Sequence, residues 1–333
     1  ELDTGTYTVE VTDNATGVTV ESTEVDVTQA DDESAEFTEN TIVEERGDIL
    51  EATVEMTETS EATINFGSPD DGVEANVTVE DDDGDDQVTV YINTFRMDTN
   101  SNADIFNLDS DSDDNIVEQQ TSTQTSDLID AGDYDLEVEA GDVDSGPSDE
   151  PGIDSSDDVA TVTLNQRNTE SLRMWTGSSD EVGSVSDLED VNEAINEGEI
   201  TQSSEIAVGD LAVHQLQATG LEGALNARDN EQVTSTFLSL DGDTNNQANP
   251  INLTIEEADP GANQDARELN LTSANTTVIA DGPNDTYFVV VNTGDVEFGH
   301  SSSTRTALPD DDDTALETNF TIVRDDAGST FTD

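Results

Sequence analysis

Apolar and polar residues alternate along short runs of this chain, and this two-residue period limits its fold more than any other feature. Ala75, Val77 and Val79 form one such run, with Asn76 and Thr78 between them. Successive side chains of a β-strand point to opposite faces, so each run places its apolar residues on one face. The pattern continues to about residue 164 and predicts an all-β protein of antiparallel sheets, each with one buried face.

Turn residues divide the alternating runs into predicted hairpins. Two short runs flank the sequence DNATG at residues 13–17, which is a typical turn composition. A second pair, residues 75–79 and 88–92, is joined by the acidic loop EDDDGDDQ. We expect each pair to form a β-hairpin.

The charge of the chain defines the solvent in which it can fold. Eighty-one Asp and Glu residues face eight basic residues, all of them Arg, and the formal net charge is −73. Clustered basic side chains, which nucleic-acid binding requires, are absent from this composition, and docking on an anionic membrane is disfavoured for the same reason. Self-repulsion destabilises a compact state in dilute buffer, but molar salt shortens the Debye length to about 3 Å. The composition therefore predicts a protein of concentrated brine.

Intrinsic disorder is the alternative interpretation of this composition. Hydrophobic residues make up 32% of the chain, aromatic residues 4%, and the mean hydropathy is −0.58, values that approach those of unfolded chains. A disordered acidic segment has no reason to keep a two-residue period, so the alternation favours a folded protein.

Several classes of protein are excluded by what the sequence lacks. Without Cys, the chain has no disulfides, zinc–thiolate sites or thiol catalysis. No stretch reaches the roughly 18 apolar residues of a membrane span, so we expect no direct membrane insertion of this segment. The first residue is Glu1 rather than Met, and we expect a processed protein or a segment of a longer one.

One internal repeat organises the first half of the chain. Residues 2–11 read LDTGTYTVEV and residues 129–138 read IDAGDYDLEV. In immunoglobulin-like sandwiches, an Asp-x-Gly-x-Tyr turn leads into the penultimate strand, and the Tyr hydroxyl bonds to backbone upstream as a tyrosine corner. Tyr7 and Tyr134 are the predicted corner residues, although chance similarity in an Asp-rich β protein remains the alternative.

The repeat predicts tandem immunoglobulin-like β-sandwich domains. Residues 1–34 would be the last two strands of a preceding domain or a hairpin donated to a neighbouring chain, because a hairpin alone buries no core. Residues 35–170 would form one sandwich, with its last strand at 159–164. Residues 171–333 would form a second β-rich domain.

We predict a single short helix in the second domain, near residues 187–197, where a full set of helix signals is present. The capping-box sequence SDLE precedes apolar residues at helical spacing, and Gly198 follows as a stop. The sequence GLEGAL at residues 220–225 is a candidate for a further helical turn. The remaining alternating runs predict strands at residues 233–240, 251–255, 275–279, 287–291 and 318–323.

Catalytic groups are scarce. His214 lies in an alternating run and His300 in a loop, and neither stands in a known nucleophile motif. A structural role is the favoured interpretation for both, and Trp175 is predicted to be a buried packing residue. With so many acids, a close pair of carboxylates carries no information about glycoside hydrolysis.

Acidic loops are candidate sites for Ca²⁺ or Mg²⁺. One resembles the start of an EF-hand loop but has Asp114 in place of the glycine and Gln120 in place of the bidentate Glu. A second loop matches partially, and the acidic loop at residues 81–86 is a third cluster. In each case the alternative is a run of acidic residues that is exposed to solvent and binds no ion. The candidate ligands are Asp109, Asp111 and Asp113 in the first loop, and Asp241, Asp243 and Asn245 in the second.

Seven Asn-x-Ser/Thr sequons are candidate glycosylation sites. This number slightly exceeds what chance gives in a chain so rich in Ser, Thr and Asn. Their positions, on polar strand faces or near strand edges, are compatible with a glycosylated outer surface. They are Asn14, Asn76, Asn252, Asn270, Asn275, Asn284 and Asn319.

The chain resembles a known family of extracellular proteins. The sequence IVEERGDILEATVEMTETSEATINFGSPDDGVEANVTVEDDDGDDQVTVYINTF, with DLIDAGDYDLEVEA, DVATVTLNQRNTESLRMWT, AVGDLAVHQLQATGLEGAL and NTTVIADGPNDTYFVVVNT, is similar to the recurring domain of haloarchaeal cell-surface and surface-layer glycoproteins. The resemblance covers roughly residues 36–323. It implies an exported protein located outside the cell at its surface; family members typically have a cleaved signal, a Thr-rich stalk and a membrane anchor, none of which is visible in this sequence.

Three functions are compatible with these observations. The favoured one is a non-enzymatic structural component of a surface lattice that self-associates through its β-domains and through bound cations. The first alternative is a subunit of a filament or adhesin that polymerises by strand donation from residues 1–28. The second is a polysaccharide-binding module or hydrolase, which the small number of aromatic residues disfavours.

Overall fold

The computed structural model describes most of the chain and shows an all-β protein, which confirms the predicted fold class. Near the N-terminus, two short strand pairs follow one another along a single two-stranded ribbon. The other strands form four larger sheets, which pack as two consecutive β-sandwiches. The described residues are 5–27, 32–98, 105–109, 112–125, 128–141, 153, 155–179, 185–226, 233–241, 251–300, 304–309 and 314–322.

The N-terminal segment is a two-stranded ribbon with its turn where the sequence predicts it. Within residues 13–17, Gly17 adopts φ of 70°, a conformation that favours glycine. The Asp13 carboxylate accepts hydrogen bonds from the amides of Ala15 and Thr16, at 2.7 and 3.3 Å. The paired strands are β1 (Gly5–Tyr7) with β4 (Val25–Val27), and β2 (Glu10–Thr12) with β3 (Thr19–Glu21).

One face of this ribbon is apolar and open. Val11 lies opposite Val20 in the ladder. Val9 and Val18 each lie two residues away along the chain, just before β2 and β3, and the two-residue period places them on the same face. All four side chains are between 59% and 65% exposed. The same alternation elsewhere in the chain places apolar faces in a core. On this ribbon, no described residues cover the apolar face.

The first sandwich packs a four-stranded sheet on a six-stranded sheet. The orders are β11-β10-β7-β5 and β12-β9-β8-β13-β14-β6. The strands are β5 (Ser34–Phe37), β6 (Thr41–Glu45), β7 (Ile49–Thr57), β8 (Glu61–Ser68), β9 (Val73–Glu80), β10 (Gln87–Asn93), β11 (Phe106–Leu108), β12 (Asn115–Thr123), β13 (Gly132–Ala140) and β14 (Asp158–Asn165). Short 3₁₀ helices occupy Pro69–Asp71 and Thr94–Asp98.

Its core consists of the alternating apolar residues of both sheets. Val54 and Val90 from the smaller sheet and Ile64, Val77 and Leu136 from the larger are all at most 1% exposed. One strand pair departs from the antiparallel prediction, because β6 runs parallel to β14 at the sheet edge.

The predicted hairpin between residues 75–79 and 88–92 is wrong. β9 pairs with β8 and β12, whereas β10 pairs with β7 and β11 in the opposite sheet. The acidic loop between them therefore crosses from one sheet to the other. Alternation shows which side chains of a strand are buried, but a strand in either sheet of a sandwich has the same alternation.

The second sandwich packs two five-stranded sheets. The orders are β16-β15-β17-β21-β20 and β23-β22-β19-β18-β24. The strands are β15 (Thr169–Gly177), β16 (Ile200–Gln202), β17 (Leu211–Ala218), β18 (Ile251–Glu257), β19 (Glu268–Asn270), β20 (Thr276–Asp281), β21 (Thr286–Asn292), β22 (Glu297–Gly299), β23 (Thr306–Ala307) and β24 (Leu316–Ile322). A 3₁₀ helix occupies Gly282–Asn284.

Helix α1 (Leu188–Glu197) forms where its capping signals predict it. The N-cap is Asp187 rather than Ser186, and its side chain accepts a hydrogen bond from the Asp190 amide at 2.9 Å. Gly198 ends the helix in the left-handed conformation. Val191 and Ala194 are buried against the outer face of the β17 sheet.

The described residues include two further helices, so the prediction of a single short helix is wrong. The sequence GLEGAL contributes α2 (Glu222–Asn226). Residues 233–240, which we predicted as a strand, form α3 (Val233–Leu240). Val233, Phe237 and Leu240 are spaced by four and three residues, and Phe237 and Leu240 are fully buried in the second core. This helical spacing prevails over the β-propensity of the Val and Thr residues.

Candidate functional sites

The predicted tyrosine corner is present at Tyr134. Its hydroxyl donates a hydrogen bond to the carbonyl of Asp130 at 2.8 Å, within the upstream turn. The side chain is 7% exposed, and its ring stacks on Phe66 with 5.4 Å between centroids. Burial raises the pKa of Tyr134 to about 12, so the hydroxyl keeps its proton and remains a donor.

The equivalent position in the first repeat is only partly described. Tyr7 belongs to β1 and is partly exposed. Its predicted hydrogen-bond partners at residues 2–3 lie outside the described residues.

The two EF-hand-like loops are described only in part. In the first, Asp113 is exposed, Asp111 lies outside the described residues, and the Ser112 hydroxyl donates to Asp114 at 2.7 Å. In the second, the Asp241 carboxylate accepts the Leu253 amide at 2.9 Å, and Asp243 and Asn245 lie outside the described residues. Cation binding at both loops stays a prediction.

The acidic loop between β9 and β10 gathers three carboxylates. Side-chain oxygens of Asp81, Asp83 and Asp85 lie within 4.8 Å of one another. Asp81 accepts the amides of Gly84 and Asp86, at 2.7 and 2.9 Å. Asp83 and Asp85 also accept amides two residues further along the loop. The loop's own backbone therefore accounts for this grouping, since Asp side chains commonly stabilise turns in this way.

The two sandwiches contact each other directly through backbone at three glycines. The Gly223 amide donates to the Gly47 carbonyl at 2.9 Å, and the Asn93 side-chain amide donates to the Gly223 carbonyl at 3.1 Å. A Cβ added at Gly220 would lie 2.4 Å from the Arg167 Cβ and 2.7 Å from the Arg46 carbonyl oxygen. Only glycine allows so close an approach. We call this contact the junction.

Asp48 lies at the centre of the junction. Its two carboxylate oxygens accept the amides of Gly220, at 2.6 Å, and Glu222, at 3.0 Å, both at the start of α2. The Glu222 carboxylate in turn accepts the Ile49 amide at 3.3 Å. Burial, and then the nearby Asp285 carboxylate, raise the pKa of Asp48 to about 8.

Further carboxylates surround Asp48. Side-chain oxygens of Glu44, Glu45 and Asp48 lie within 4.8 Å of one another. Burial raises the pKa of Glu222. Burial, and then neighbouring carboxylates, raise the pKa of Glu44 and also that of Asp285, the latter to about 7. We call Glu44, Glu45 and Asp48, with the neighbouring Glu222 and Asp285, the acid cluster. The sequence alone does not indicate this cluster, because EERGD at residues 44–48 resembles an ordinary solvated acidic run and its partners are far away in the sequence.

The histidines and the tryptophan have structural surroundings. His214 is 1% exposed, between Ala212 and Leu216 on the core face of β17. His300 is exposed, and its Nδ1 lies 3.1 Å from the Ala266 carbonyl. Trp175 is partly buried in β15, and its indole nitrogen donates to Gln215 at 3.1 Å.

Comparison with known proteins shows similarity along nearly the whole chain. It is 37% identical over 327 residues to the "Cell surface glycoprotein" of Haloferax gibbonsii, covering 97% of this chain and 35% of that protein. It is 34% identical to "Cell surface glycoprotein 2" and 33% identical to "Cell surface glycoprotein 1" of Haloarcula hispanica, covering 98% and 96% of this chain. It covers 37% and 35% of those two relatives.

The chain belongs to the haloarchaeal cell-surface glycoprotein family. This confirms the resemblance noted in the sequence. The family model described as "Domain of unknown function (DUF7827)" matches residues 27–141, which include most strands of the first sandwich. The chain spans about a third of the length of the relatives that it matches.

Membership places this cell-surface glycoprotein segment outside the cell, at the surface, as predicted. Among the described residues, no helix is both long and apolar enough to span a membrane.

The seven sequons of this chain differ in accessibility. Asn14 and Asn284 are exposed; Asn14 lies in a turn, and Asn284 is the last residue of the 3₁₀ helix Gly282–Asn284. Asn76 is 9% exposed and Asn275 7%, and the Asn275 side-chain amide donates to the Asn270 carbonyl at 2.9 Å. Asn252, Asn270 and Asn319 are partly buried. A glycan requires an accessible side-chain amide, so Asn14 is the best-placed candidate, whereas the side-chain amide of Asn284 donates to the Asp281 carboxylate at 3.0 and 3.1 Å.

Proposed function

We propose that this chain is a non-enzymatic structural component of a haloarchaeal surface lattice. The observation that supports this best is its similarity, along 96–98% of its length, to proteins named cell surface glycoproteins. The two joined sandwiches fit such a role, because close backbone packing at the junction limits their relative motion. Rigid units of this kind can tile a surface.

Contacts between copies would use the sheet edges and the acidic surface. β6 and β12 form the edges of the six-stranded sheet, and β5 and β11 those of the four-stranded sheet. Edge strands have backbone groups without strand partners and are ready sites of pairing. At a net charge of −73, two copies repel each other unless salt screens them or cations link their carboxylates. We therefore propose that Ca²⁺ or Mg²⁺ bridges neighbouring copies.

Chelation tests this mechanism. Assemblies of the native protein in molar NaCl should dissociate when EDTA removes divalent ions and should re-form when Ca²⁺ or Mg²⁺ is returned. The matched control is EDTA already saturated with Ca²⁺, which should leave the assemblies intact. Electron micrographs that show unchanged assemblies after complete chelation would contradict cation bridging.

A second candidate function, a filament or adhesin subunit, is favoured by the open valine face of the N-terminal ribbon. Val9, Val11, Val18 and Val20 form an apolar stripe of the kind that a sandwich core normally covers. A groove in a neighbouring copy could receive this ribbon as donated strands.

Deletion of residues 1–28 separates the two candidates. A filament subunit should lose polymerisation without the ribbon, whereas a lattice component should assemble as before. The control is Val11→Thr with Val20→Thr in the full chain, which keeps the ribbon and its β-propensity but makes part of the face polar. Normal assembly of the deleted chain would exclude strand donation.

A further inference from the structure

The edge strand β5 has two backbone amides that point away from its sheet. The Thr38 amide, just after β5, donates to the Thr53 carbonyl of β7 at 3.0 Å. Along an antiparallel strand, successive residues turn their backbone groups to opposite sides. The amides of Ala35 and Phe37 therefore point away from β7, towards the free edge of the four-stranded sheet.

Two carboxylates of the other sheet accept these amides. The Ala35 amide donates to Oδ2 of Asp157, just before β14, at 3.2 Å, and the Phe37 amide donates to Oδ2 of Asp158, the first residue of β14, at 3.0 Å. Asp157 Oδ2 also accepts the Ala140 amide of β13 at 2.9 Å, which holds this side chain in place. Because β13 and β14 belong to the six-stranded sheet, the carboxylates reach from one sheet to the edge of the other and cover it.

The neighbouring edge strand β6 has no such cover. It runs parallel to β14, and the Thr161 amide of β14 donates to the Asn40 carbonyl, so the amides of Thr41 and Val43 point to the free side. Neither amide has a side-chain acceptor among the residues that the structure describes, and the Val43 side chain is 57% exposed. The carboxylate cover therefore distinguishes β5 from the edge beside it.

A covered edge resists pairing with another strand. An incoming strand forms its ladder with the outward amides and carbonyls of the edge strand. At β5 both amides already donate to charged acceptors, and such hydrogen bonds are stronger than the neutral bonds that would replace them. The carbonyl oxygens of an incoming strand would also lie against two carboxylates, which repel them.

We propose that Asp157 and Asp158 close the edge of β5 to pairing with a strand of a second copy of this chain. Of the two edges beside β14, only that of β6 then remains open for contacts between copies. This consequence deepens the proposed lattice and rests on it. The cover itself is a property of one chain and is tested without any lattice.

The experiment compares the full 333-residue chain with its Asp157→Ala, Asp158→Ala variant in molar KCl and EDTA, which removes divalent ions. In sedimentation velocity, the variant should associate at protein concentrations where the wild type does not, with a mass that increases towards that of a dimer or larger species. Asp157→Asn with Asp158→Asn keeps an acceptor oxygen at each position and should behave as the wild type. Glu189→Ala with Glu193→Ala, on the exposed face of α1, removes the same amount of charge and should not associate either.

Amide hydrogen exchange distinguishes a cover from a simple tie between the sheets. In the Asp157→Ala, Asp158→Ala variant, the amides of Ala35 and Phe37 should exchange faster than in the wild type when the protein is dilute. In concentrated protein their exchange should slow again, because the edges of two copies pair. Unchanged exchange at both amides, or a loss of stability without association, would overturn the proposal.

Asp158→Ala alone is the second variant, for the case in which the double variant does not fold. It frees only the Phe37 amide and leaves both hydrogen bonds of Asp157 in place. Exchange at Phe37 should show the same dependence on protein concentration, and exchange that is fast at every concentration would contradict the proposal. Each comparison is made with the wild type in EDTA, so a failure of the wild type to form a cation-bridged lattice changes none of these outcomes.

Discussion

Tyr134 shows what a single hydroxyl contributes to the first sandwich. Replacement with Phe keeps the ring on Phe66 and leaves the Asp130 carbonyl without its donor. Asp130 is exposed, so water can replace the lost donor, and an ordinary hydrogen bond contributes about 0.5–1.5 kcal/mol. We therefore expect Tyr134→Phe to lower the free energy of unfolding by about 1 kcal/mol in urea titrations at molar salt. Tyr91→Phe is the control, because Tyr91 has no hydroxyl hydrogen bond among the described residues. Equal stability of Tyr134→Phe and wild type would contradict a structural role for the corner.

His214 makes the second sandwich sensitive to acid. Burial lowers its pKa from 6.5 to about 4, so below pH 6.5 the unfolded chain takes up a proton that the folded chain does not. The contribution of neutral His214 to the free energy of unfolding is therefore fully present above about pH 6.5 and decreases as the pH falls towards 4. By linkage the loss between pH 7.5 and pH 5 is about 2 kcal/mol.

The variant His214→Leu isolates this contribution. It removes the titrating group, whereas every carboxylate titrates as in the wild type. The difference in unfolding free energy between pH 7.5 and pH 5 should therefore be smaller by about 2 kcal/mol in the variant. An identical pH dependence in both proteins would show that His214 does not titrate as an uncompensated buried group.

At the scale of elements, the sequence predicts strand positions well and strand partners poorly. The runs at residues 251–255 and 287–291 lie within β18 and β21, because burial on one sheet face imposes the two-residue period. Nothing in that period distinguishes a hairpin from a crossing between sheets, so the pairing of β9 with β10 was predicted wrongly. Residues 233–240 had too few alternating positions to tell strand from helix.

The candidate sites also differ in whether their residues lie close together or far apart in the sequence. The corner at Tyr134 was predictable because Asp130 is only four residues away, within one motif. The acid cluster was not, because Glu44 in β6 and Asp285, the residue before β21, are far apart in the sequence and influence each other only in the folded chain. Sites built from residues far apart in sequence need the tertiary structure.

The junction itself can be tested at Gly223. A Cβ there would lie 2.4 Å from the Asn93 Oδ1 and 2.5 Å from the Gly47 carbonyl oxygen. Overpacking of this kind typically costs about 1–3 kcal/mol, so we expect Gly223→Ala to lower Tm and to separate the unfolding of the two sandwiches into two transitions. Gly132→Ala is the control, since its Cβ would meet only the Tyr134 ring, at 4.0 Å. A single transition at the wild-type Tm in Gly223→Ala would show that the junction accommodates the added methyl group, and would contradict the prediction that close packing at Gly223 couples the two sandwiches.

For the whole molecule, the net charge of −73 makes the fold depend on salt. The Debye length grows from about 3 Å at 1 M to about 30 Å at 0.01 M, so in dilute buffer each carboxylate interacts with many others, and compact packing becomes unfavourable. We expect Tm to fall steadily as KCl is removed, and the cooperative transition to disappear at low ionic strength in circular dichroism. Replacing KCl with sucrose of equal osmolality should not restore it, because sucrose stabilises by exclusion from the surface and screens no charge. A transition that persists unchanged in dilute buffer would show that neither charge repulsion nor its screening controls the stability of this protein.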